Sequence, residues 1–193
     1  MTRASIKDKQ LIEDILISAF EPSMDDSSIN LIVGNGDKRV KKMRILMGYL
    51  FERAMLFGEV FIADNKKGCL LIKYSHKEKV TLKTIKLDLN LAFKCIGITN
   101  VYKVLKRQQI AKQNYPKEKH IRPVIFGVDK EFKGGVTAAR LMLSVKNHYK
   151  DNTLPVIIDA AAEYNVNLYQ KFGFKITKKE DSLGFPIYFL RLN

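Results

Sequence analysis

Cysteine is scarce in this chain, and so are segments that would direct it to or through a membrane. Only Cys69 and Cys95 occur among 193 residues, which is too few for a disulfide framework. We expect both to be buried thiols in a reducing compartment. Residues 1–10 lack the apolar core of a signal peptide, and two lysines interrupt the apolar run over residues 87–105. The chain is therefore predicted to be cytoplasmic and without a membrane span.

Motifs for nucleotide hydrolysis, dinucleotide binding and metal binding are missing as well. The glycine pair Gly134-Gly135 is not part of a GxxxxGK[ST] pattern, so nucleotide hydrolysis has no support. The Gly-Asn-Gly segment at 34–36 lacks the third glycine and the preceding strand of a dinucleotide fingerprint, and we interpret it as a turn. His76 and His148 have no partner at metal-ligand spacing, so no metal is implied.

What the chain has in excess is positive charge. Its 34 basic and 20 acidic residues give a formal charge of +14, which favours an anionic partner such as a phosphorylated cofactor, nucleic acid, an acidic substrate or a lipid surface. Residues 73–119 hold 12 basic and 3 acidic residues and so carry +9 of that charge. The hydrophobic content of 46% is ample for a packed core, and the length fits one domain over residues 1–193.

The basic segment is predicted to be a helical insertion, at about residues 77–118. Two apolar sets recur at helical spacing and predict two helices: Leu82, Ile85, Leu89, Phe93 and Ile96, then Val101, Val104, Leu105 and Ile110. We favour lysines that keep these helices soluble over a dedicated surface for nucleic acid or membrane. We do not expect nucleic acid as a partner, because no aromatic ladder for stacking bases lies among the lysines.

Short strands and helices follow one another along the rest of the chain. Helical periodicity and β-rich runs, bounded by glycine and proline, predict the elements in order. They are helices at 5–20 and 38–57 around a loop at 21–37, strands at 59–63, 68–74, 121–128 and 155–160, helices at 138–149 and 165–172, and strands at 175–177 and 186–192 around a turn at 181–184. This order implies an α/β (α+β) protein with a mixed sheet covered by helices.

Two segments in the last third carry the chemistry. In residues 128–141 a strand runs through two adjacent glycines into a helix, and such a turn leaves backbone N–H groups free where a pyrophosphate can bind. Taken alone, the segment could equally be an ordinary strand-to-helix turn. The other segment, residues 165–174, adds an asparagine, a tyrosine and a Phe-Gly-Phe strand entry.

Together the two segments resemble the GNAT superfamily of acyl-CoA-dependent N-acyltransferases. Residues 133–138 are similar to the family's pyrophosphate loop, with Lys133 where Arg or Gln is usual and Val136 where the middle glycine is common. Residues 165–174 are similar to the family's Asn-x-x-x-Tyr helix followed by Gly-Phe, with Asn165 and Tyr169 at the matching positions. The resemblance covers the chain from about residue 120 to the C-terminus and is weaker upstream.

The resemblance implies the GNAT fold, a mostly antiparallel mixed sheet that splays between two central parallel strands, here 121–128 and 155–160. Acetyl-CoA would lie in the V-shaped gap, its pantetheine pairing with backbone at Phe126, Gly127 and Val128. Asn165 and Tyr169 would contact the cofactor from the helix at 165–172. The residues implied to hold the pyrophosphate are Lys133, Gly134, Gly135, Val136, Thr137, Ala138 and Ala139.

The resemblance also implies catalytic roles for two residues. Tyr169 would act as the general acid, because a phenol of pKa about 10 is protonated at neutral pH and can donate to the departing sulfur. A backbone N–H near Val128 would stabilise the oxyanion. For the base we rank Asp159 slightly above the other candidates and leave open a proton path through ordered water. Those candidates are His120, Glu59, Asp129 and Glu163.

The predicted function is acetyl transfer from acetyl-CoA to an amine, directly and within a ternary complex. The alternative is a basic binding module for nucleic acid or acidic lipid on a GNAT-like fold, without catalysis. The acceptor, a small molecule or a peptide, is expected in a pocket built by the loop at 21–37, the helix at 38–57, the insertion and the terminal hairpin near residues 183–188. The strand over residues 185–190 could pair across a homodimer edge.

Overall fold

A computed structural model describes residues 1–22, 28–161, 163–182 and 185–193, apart from the side chains at positions 28, 98 and 99. The described residues form a seven-stranded sheet in the order β1-β2-β3-β4-β5-β7-β6. Neighbouring strands are antiparallel except for β4 and β5, which are parallel. The strands are β1 (Thr2–Arg3), β2 (Gly58–Ile62), β3 (Gly68–Tyr74), β4 (Ile121–Val128), β5 (Val156–Ala160), β6 (Lys175–Glu180) and β7 (Ile187–Leu192).

Helices cover both faces of this sheet. The helices are α1 (Lys9–Phe20), α2 (Ser28–Val33), α3 (Arg39–Phe57), α4 (Leu82–Leu91), α5 (Ile98–Asn114), α6 (Val136–His148) and α7 (Glu163–Lys171). A π-helical segment, Ala92–Ile96, joins α4 to the glycine that precedes α5. Among the described residues no helix is long and apolar enough to cross a membrane.

Helices α1 and α3 pack on one face of the sheet because each has an apolar stripe at helical spacing. In α3, Met43, Met47, Phe51 and Ala54 are fully buried and recur every three or four residues. The chain then enters β2 at Gly58, where a Cβ atom would lie 1.9 Å from the carbonyl oxygen of residue 72. Only glycine allows this direct passage from helix to strand.

The other face carries two smaller cores. Helix α6 packs Leu141 and Val145 against Phe61 and Ile121 of the sheet. Helix α7 covers the end formed by β5, β6 and β7, where its Val166 is buried in the same apolar cluster as residues 158 and 190. Helices α6 and α7 therefore cover this face of the sheet at the strands β4 and β5.

Strands β4 and β5 diverge after a single register pair, Ile121 with Val156. Pro123 has no N–H to donate to a neighbouring strand. The register of β3 against β4 also shifts between Leu71 and Ile72, which leaves residue 124 as the extra residue of a β-bulge. The bulge and the proline bend β4 away from β5 and open a gap. This is the splayed mixed sheet that the sequence predicts, and that prediction is confirmed.

Two expectations about helices are wrong. The region at 21–37, predicted to be a loop, contains helix α2, although residues 23–27 lie outside the described part. The apolar face assigned to the first insertion helix is largely exposed: Leu82 is 88% and Phe93 72% exposed. The side of α4 that meets the core instead carries Thr84 and Leu91. Which side is buried is set by the packing of α4 on α3, not by the spacing of apolar residues in α4 itself.

Candidate functional site

The gap between β4 and β5 forms a cleft. Strand β4 and strand β5 provide its two walls, and helix α7 closes one side with a tyrosine. The residues that line the cleft are Leu70, Pro123, Val124, Ile125, Phe126, Met142, Ile158, Asp159, Tyr169 and Phe174. Most of them are apolar, so the two polar groups, Asp159 and Tyr169, stand out as the groups able to do chemistry there.

The predicted pantetheine-pairing residues lie along this cleft on β4. Phe126 lines it and packs towards α6. Gly127 points to the opposite face, where an added Cβ would come within 2.8 Å of the Leu16 side chain of α1. Its glycine is therefore required for packing of α1 on the sheet. Since β4 pairs with β3 at these positions and with β5 only at residue 121, the edge of β4 that faces the cleft is available to another extended chain.

Asp129 lies between β4 and the predicted pyrophosphate loop at 133–139 and is tied to three parts of the chain. Its carboxylate accepts hydrogen bonds from the Ser18 hydroxyl at 2.9 Å, from Lys67 at 3.4 Å and from the backbone N–H of Glu131. The Ser18 bond lowers the pKa of Asp129 below its usual range; burial opposes this shift, and the other two bonds add to it. These bonds anchor the base of the loop.

The loop then turns into α6 through two glycines. Gly134 has φ +81°, a conformation that L side chains rarely adopt. Gly135 is the N-cap of α6 and provides no side-chain cap, so the first N–H groups of the helix have no intrahelical partner. Residues 133–136 and 139 are exposed and residue 138 is half-buried. The helix start, which follows β4 along the chain, thus presents unpaired donors and a positive dipole end to solvent, which suits a phosphate group.

Thr137 is the loop residue whose side chain serves the fold. It is buried, and its hydroxyl oxygen accepts a hydrogen bond from the Asn65 side chain at 2.9 Å. Asn65 lies in the turn between β2 and β3, where its own side-chain oxygen accepts from the N–H of Lys67. The start of α6 is in this way fixed to the hairpin, and only the backbone of Thr137 is left for a ligand.

Asn165 and Tyr169 lie on α7. Asn165 is exposed and lies in the first turn, within the helix and not before it, so it does not occupy the N-cap position. Tyr169 packs edge-on against Phe174 with ring centroids 5.7 Å apart. Burial, and then the charge of Asp159, raise the pKa of Tyr169. Its hydroxyl has no hydrogen-bond partner among the described residues, and a protonated phenol at this position can donate to a ligand in the cleft.

Asp159 lies in the cleft as predicted, but its carboxylate is engaged. Arg107 of α5 and the Tyr115 hydroxyl both donate to it, and Arg122 of β4 lies 3.5 Å away. Its oxygens are therefore already occupied by donors from three side chains, an arrangement suited to orienting the two arginines.

The other predicted bases lie outside the cleft. His120 is buried, with its Nδ1 2.8 Å from the carbonyl oxygen of residue 118. Glu59, on β2, accepts hydrogen bonds from Tyr74 at 2.5 Å and Tyr149 at 2.6 Å. Glu163 is exposed, and the Tyr188 hydroxyl donates to it at 3.4 Å. Of the acidic candidates within the described residues, Asp159 alone lines the cleft.

The sequence reasoning missed the basic residues that pair with Asp159 and with Glu78. Lys73 and Arg122 are charged residues inside otherwise apolar strands, and this is the signal that could have found them. Arg107 carries no such signal, because it is one of many basic residues on α5. Only the packing of α5 against the cleft distinguishes it from its neighbours.

The comparisons with known proteins find likeness in structure alone. No family model matches the sequence, and no curated protein matches it. The structure of a histone acetyltransferase HPA2 and related acetyltransferase from Corynebacterium glutamicum has a TM-score of 0.70 at 16% identity, covering 98% of this chain and 93% of that one. Arylalkylamine N-acetyltransferase 2 from Aedes aegypti gives 0.63 at 14% identity, covering 99% and 96%.

A third structure, the C-terminal condensation domain of Ebony in complex with beta-alanyl-dopamine, gives a TM-score of 0.62 at 12% identity and covers 99% of this chain and 96% of that one. The likeness therefore runs through the whole length, including the insertion and the N-terminal helices. At these identities what is shared is architecture, and it establishes that this chain has the GNAT fold that its last third predicted.

Proposed function

We propose that the protein is an N-acetyltransferase that transfers an acetyl group from acetyl-CoA to an amine, directly and within a ternary complex. The observation that supports this most is the combination of an open edge of β4 and a protonated phenol in one cleft with an uncapped helix start that follows β4 along the chain. The fold alone would not suffice, since one fold hosts many functions. The acetyltransferase names of several structural neighbours agree with the proposal.

The residues present fit an acyl-CoA. The N–H groups at the start of α6, with the exposed residues 133–136, 138 and 139 around them, would hold the pyrophosphate. The open edge of β4 at Phe126 to Val128 would pair with the pantetheine amides. Asn165 is exposed beside this path, on the same helix as Tyr169. When bound, acetyl-CoA supplies an activated thioester for attack by an amine.

Two chemical steps are assigned to groups of this chain, and the third, removal of the amine proton, to water. The backbone N–H near Val128 donates to the thioester carbonyl oxygen and stabilises the charge that develops there. Tyr169 donates its proton to the departing sulfur, and its raised pKa keeps that proton in place until it is needed. Asp159 holds Arg107 and Arg122 in position, and the proton of the attacking amine leaves through water. In this proposal Asp159 is a positioning residue.

We further propose a cytoplasmic enzyme in which residues 1–193 work as one domain and a small amine is the acceptor. The small-molecule acceptor is preferred because agmatine, polyamine and arylalkylamine N-acetyltransferases are among the structural neighbours. The acceptor would enter from the α5 side of the cleft, opposite to α6. There Arg107 contacts Asp159 and Lys106 contacts the carbonyl oxygen of Ser182.

A calorimetric titration tests the cofactor site. Acetyl-CoA, free CoA and ATP are titrated into the protein at low and at moderate salt, and a thermal shift is measured in parallel. Saturable binding that prefers acetyl-CoA and CoA over ATP and survives moderate salt supports the proposal. A ligand at a hundred times its Kd should stabilise the fold by about 2.7 kcal/mol. The absence of any such stabilisation would overturn the proposal. Weak, unselective binding that salt removes would instead favour the basic binding module.

A further inference from the structure

A group of four basic side chains surrounds two carboxylates: two of them pair with Glu78 and the other two lie against Asp159 of the cleft. They come from four different elements of the fold: Arg53 of α3, Lys73 of β3, Arg107 of α5 and Arg122 of β4. We call these residues the basic cluster. Its side chains are mostly buried: the exposed fractions are 18%, 11%, 12% and 26%. Lysines that recur along an exposed helix face would not be buried next to one another in this way.

Two carboxylates face the basic cluster from within the described residues. Glu78 accepts from Lys73 at 2.5 Å and from Arg53 at 3.3 Å. Asp159 is engaged by Arg107 and by Tyr115, and it reaches Arg122 only at 3.5 Å. Asp88 is the remaining acidic neighbour, 54% exposed and 3.9 Å from Arg53. Arg122 therefore has the weakest anionic pairing of the cluster.

Lys73 and Arg122 are cross-strand neighbours on one face of the sheet. They are register partners between β3 and β4, and like charges directly opposite each other destabilise a sheet. Burial, and then the charge of Arg122, lower the pKa of Lys73 to about 8. Burial also lowers the pKa of Arg122 to about 10, opposed by Glu78 and assisted by Arg107. Both shifts have the direction expected for cations that are removed from water.

Two hydrogen-bond donors in the basic cluster are unused. Among the described residues, the buried side-chain polar atoms without a partner are Nε of Arg53 and Nε of Arg122. Buried donors are normally satisfied, so each orphaned N–H marks a place where an acceptor is missing. The Tyr115 ring lies 4.3 Å from the Arg122 guanidinium and holds it against Asp159. A rigid, incompletely paired arginine next to a reactive cleft is suited to binding an anion.

We propose that the basic cluster, with Arg122 at its centre, is an acceptor subsite that binds a carboxylate or phosphate group on the amine substrate. The inference rests on the proposed acetyltransferase function and names the substrate class of that cleft. An anion beside Arg122 would satisfy the orphaned donor and neutralise the surplus charge, while the amine of the same molecule would point at the cleft between Asp159 and Tyr169. A polyamine would meet repulsion at the same place.

Matched pairs of amines test this subsite. Phosphoethanolamine against ethanolamine and phenylalanine against 2-phenylethylamine differ by one phosphate and one carboxylate, so the two pairs distinguish the two anions. Each compound is titrated calorimetrically into protein saturated with CoA, which occupies the pyrophosphate loop. We expect one or both anionic members to bind about tenfold or more tightly than the partner that lacks the anion.

Variants connect the preference to Arg122. In R122Q the preference should fall to near unity, and R122K should retain part of it because it keeps the charge. K103Q removes one charge from an exposed position on α5 and should leave the preference unchanged. If R122Q does not fold, K73M is the replacement, since Glu78 remains paired with Arg53. Equal binding within both pairs, tighter binding of the members without the anion, or a full preference in R122Q (or in K73M, where it replaces R122Q) would overturn the proposal.

Inorganic phosphate keeps the test independent of the amine chosen. It should raise the melting temperature of the CoA-saturated wild type and have no effect on R122Q. No phosphate effect together with no amine binding counts against the subsite. Failure of CoA to bind would refute the proposed function instead, and the difference between wild type and R122Q with phosphate would still decide the subsite.

Discussion

At the scale of single residues, the cleft depends on a few side chains whose surroundings set their chemistry. Tyr169 is protonated because burial and Asp159 raise its pKa. Asp159 is paired with arginines from α5 and β4. The sequence predicted that both residues would border the gap, and the structure places both there. The sequence could not predict the two arginines at Asp159, because they lie 37 and 52 positions away from it along the chain.

Replacing Tyr169 by phenylalanine should lower kcat about 100-fold with little change in acetyl-CoA affinity. The reason is that the ring packing against Phe174 is kept while the proton donor is lost. Steady-state kinetics and calorimetric titration measure the two quantities. Tyr164→Phe on the same helix is the matched control, since that side chain is 73% exposed. Equal rates in wild type and Y169F would remove the phenol from the mechanism.

Replacing Gly134 by valine should weaken acetyl-CoA binding at least about tenfold. The backbone at Gly134 has φ +81° with open space around it, so the variant strains the loop by about 1–2 kcal/mol and moves the N–H groups that hold the phosphates. Gly97→Val is the control. Gly97 has φ +75° and equally open surroundings, and it lies far from Gly134 along the chain. Both variants should lose similar stability in urea unfolding. Similar cofactor affinities would show that the loop does not bind the pyrophosphate.

At the scale of elements, periodicity located the helices and strands well but did not determine which face each helix buries. The strand at 121–128 agrees with β4 at both ends. Helix α4 has an apolar stripe at residues 82, 85 and 89, yet that stripe is exposed and Leu91 is buried instead. The orientation of a short insertion helix depends on how it packs against its neighbours, and the local sequence carries no information on that packing.

Two leucines of α4 test this orientation. Leu91→Ala should lower the free energy of unfolding by about 2–5 kcal/mol, because Leu91 is 4% exposed in the main core. Leu82→Ala should change it by less than about 0.5 kcal/mol, because Leu82 is 88% exposed. Urea denaturation of both variants measures the difference. A large loss for L82A with a small one for L91A would reverse the assigned faces.

At the scale of the whole molecule, the surplus of positive charge reaches from the surface into the interior. The formal charge of +14 includes Lys73, which is buried beside Arg122 and Glu78. Burying a cation next to another cation costs stability at neutral pH. The two neighbouring cations therefore lower the stability of the fold beside the cleft. Such an unfavourable arrangement is expected where a binding function requires it.

The stability of the wild type should rise between pH 7.5 and 9.5 relative to that of Lys73→Met. Folded Lys73 has a pKa of about 8 against an ordinary value of 10.5, so in this range the unfolded chain binds more protons and stability rises with pH. The destabilisation, on the order of 1–3 kcal/mol, is fully present below pH 8 and fades above it. Urea unfolding at several pH values measures it, with the exposed Lys103→Met as control. Parallel pH profiles for wild type and K73M would contradict the low pKa.

The sequence by itself determined the mixed sheet, the order of its elements, the glycine turn into α6 and the tyrosine of α7. These features depend on local signals, namely hydrophobic period, glycine at positive φ and a short motif. Only the tertiary structure decided that Thr137 ties α6 to the hairpin, that α4 exposes its apolar stripe and that Arg107 and Arg122 converge on Asp159. Such contacts join residues far apart in the chain, and their geometry follows from how whole elements pack, which no local pattern encodes.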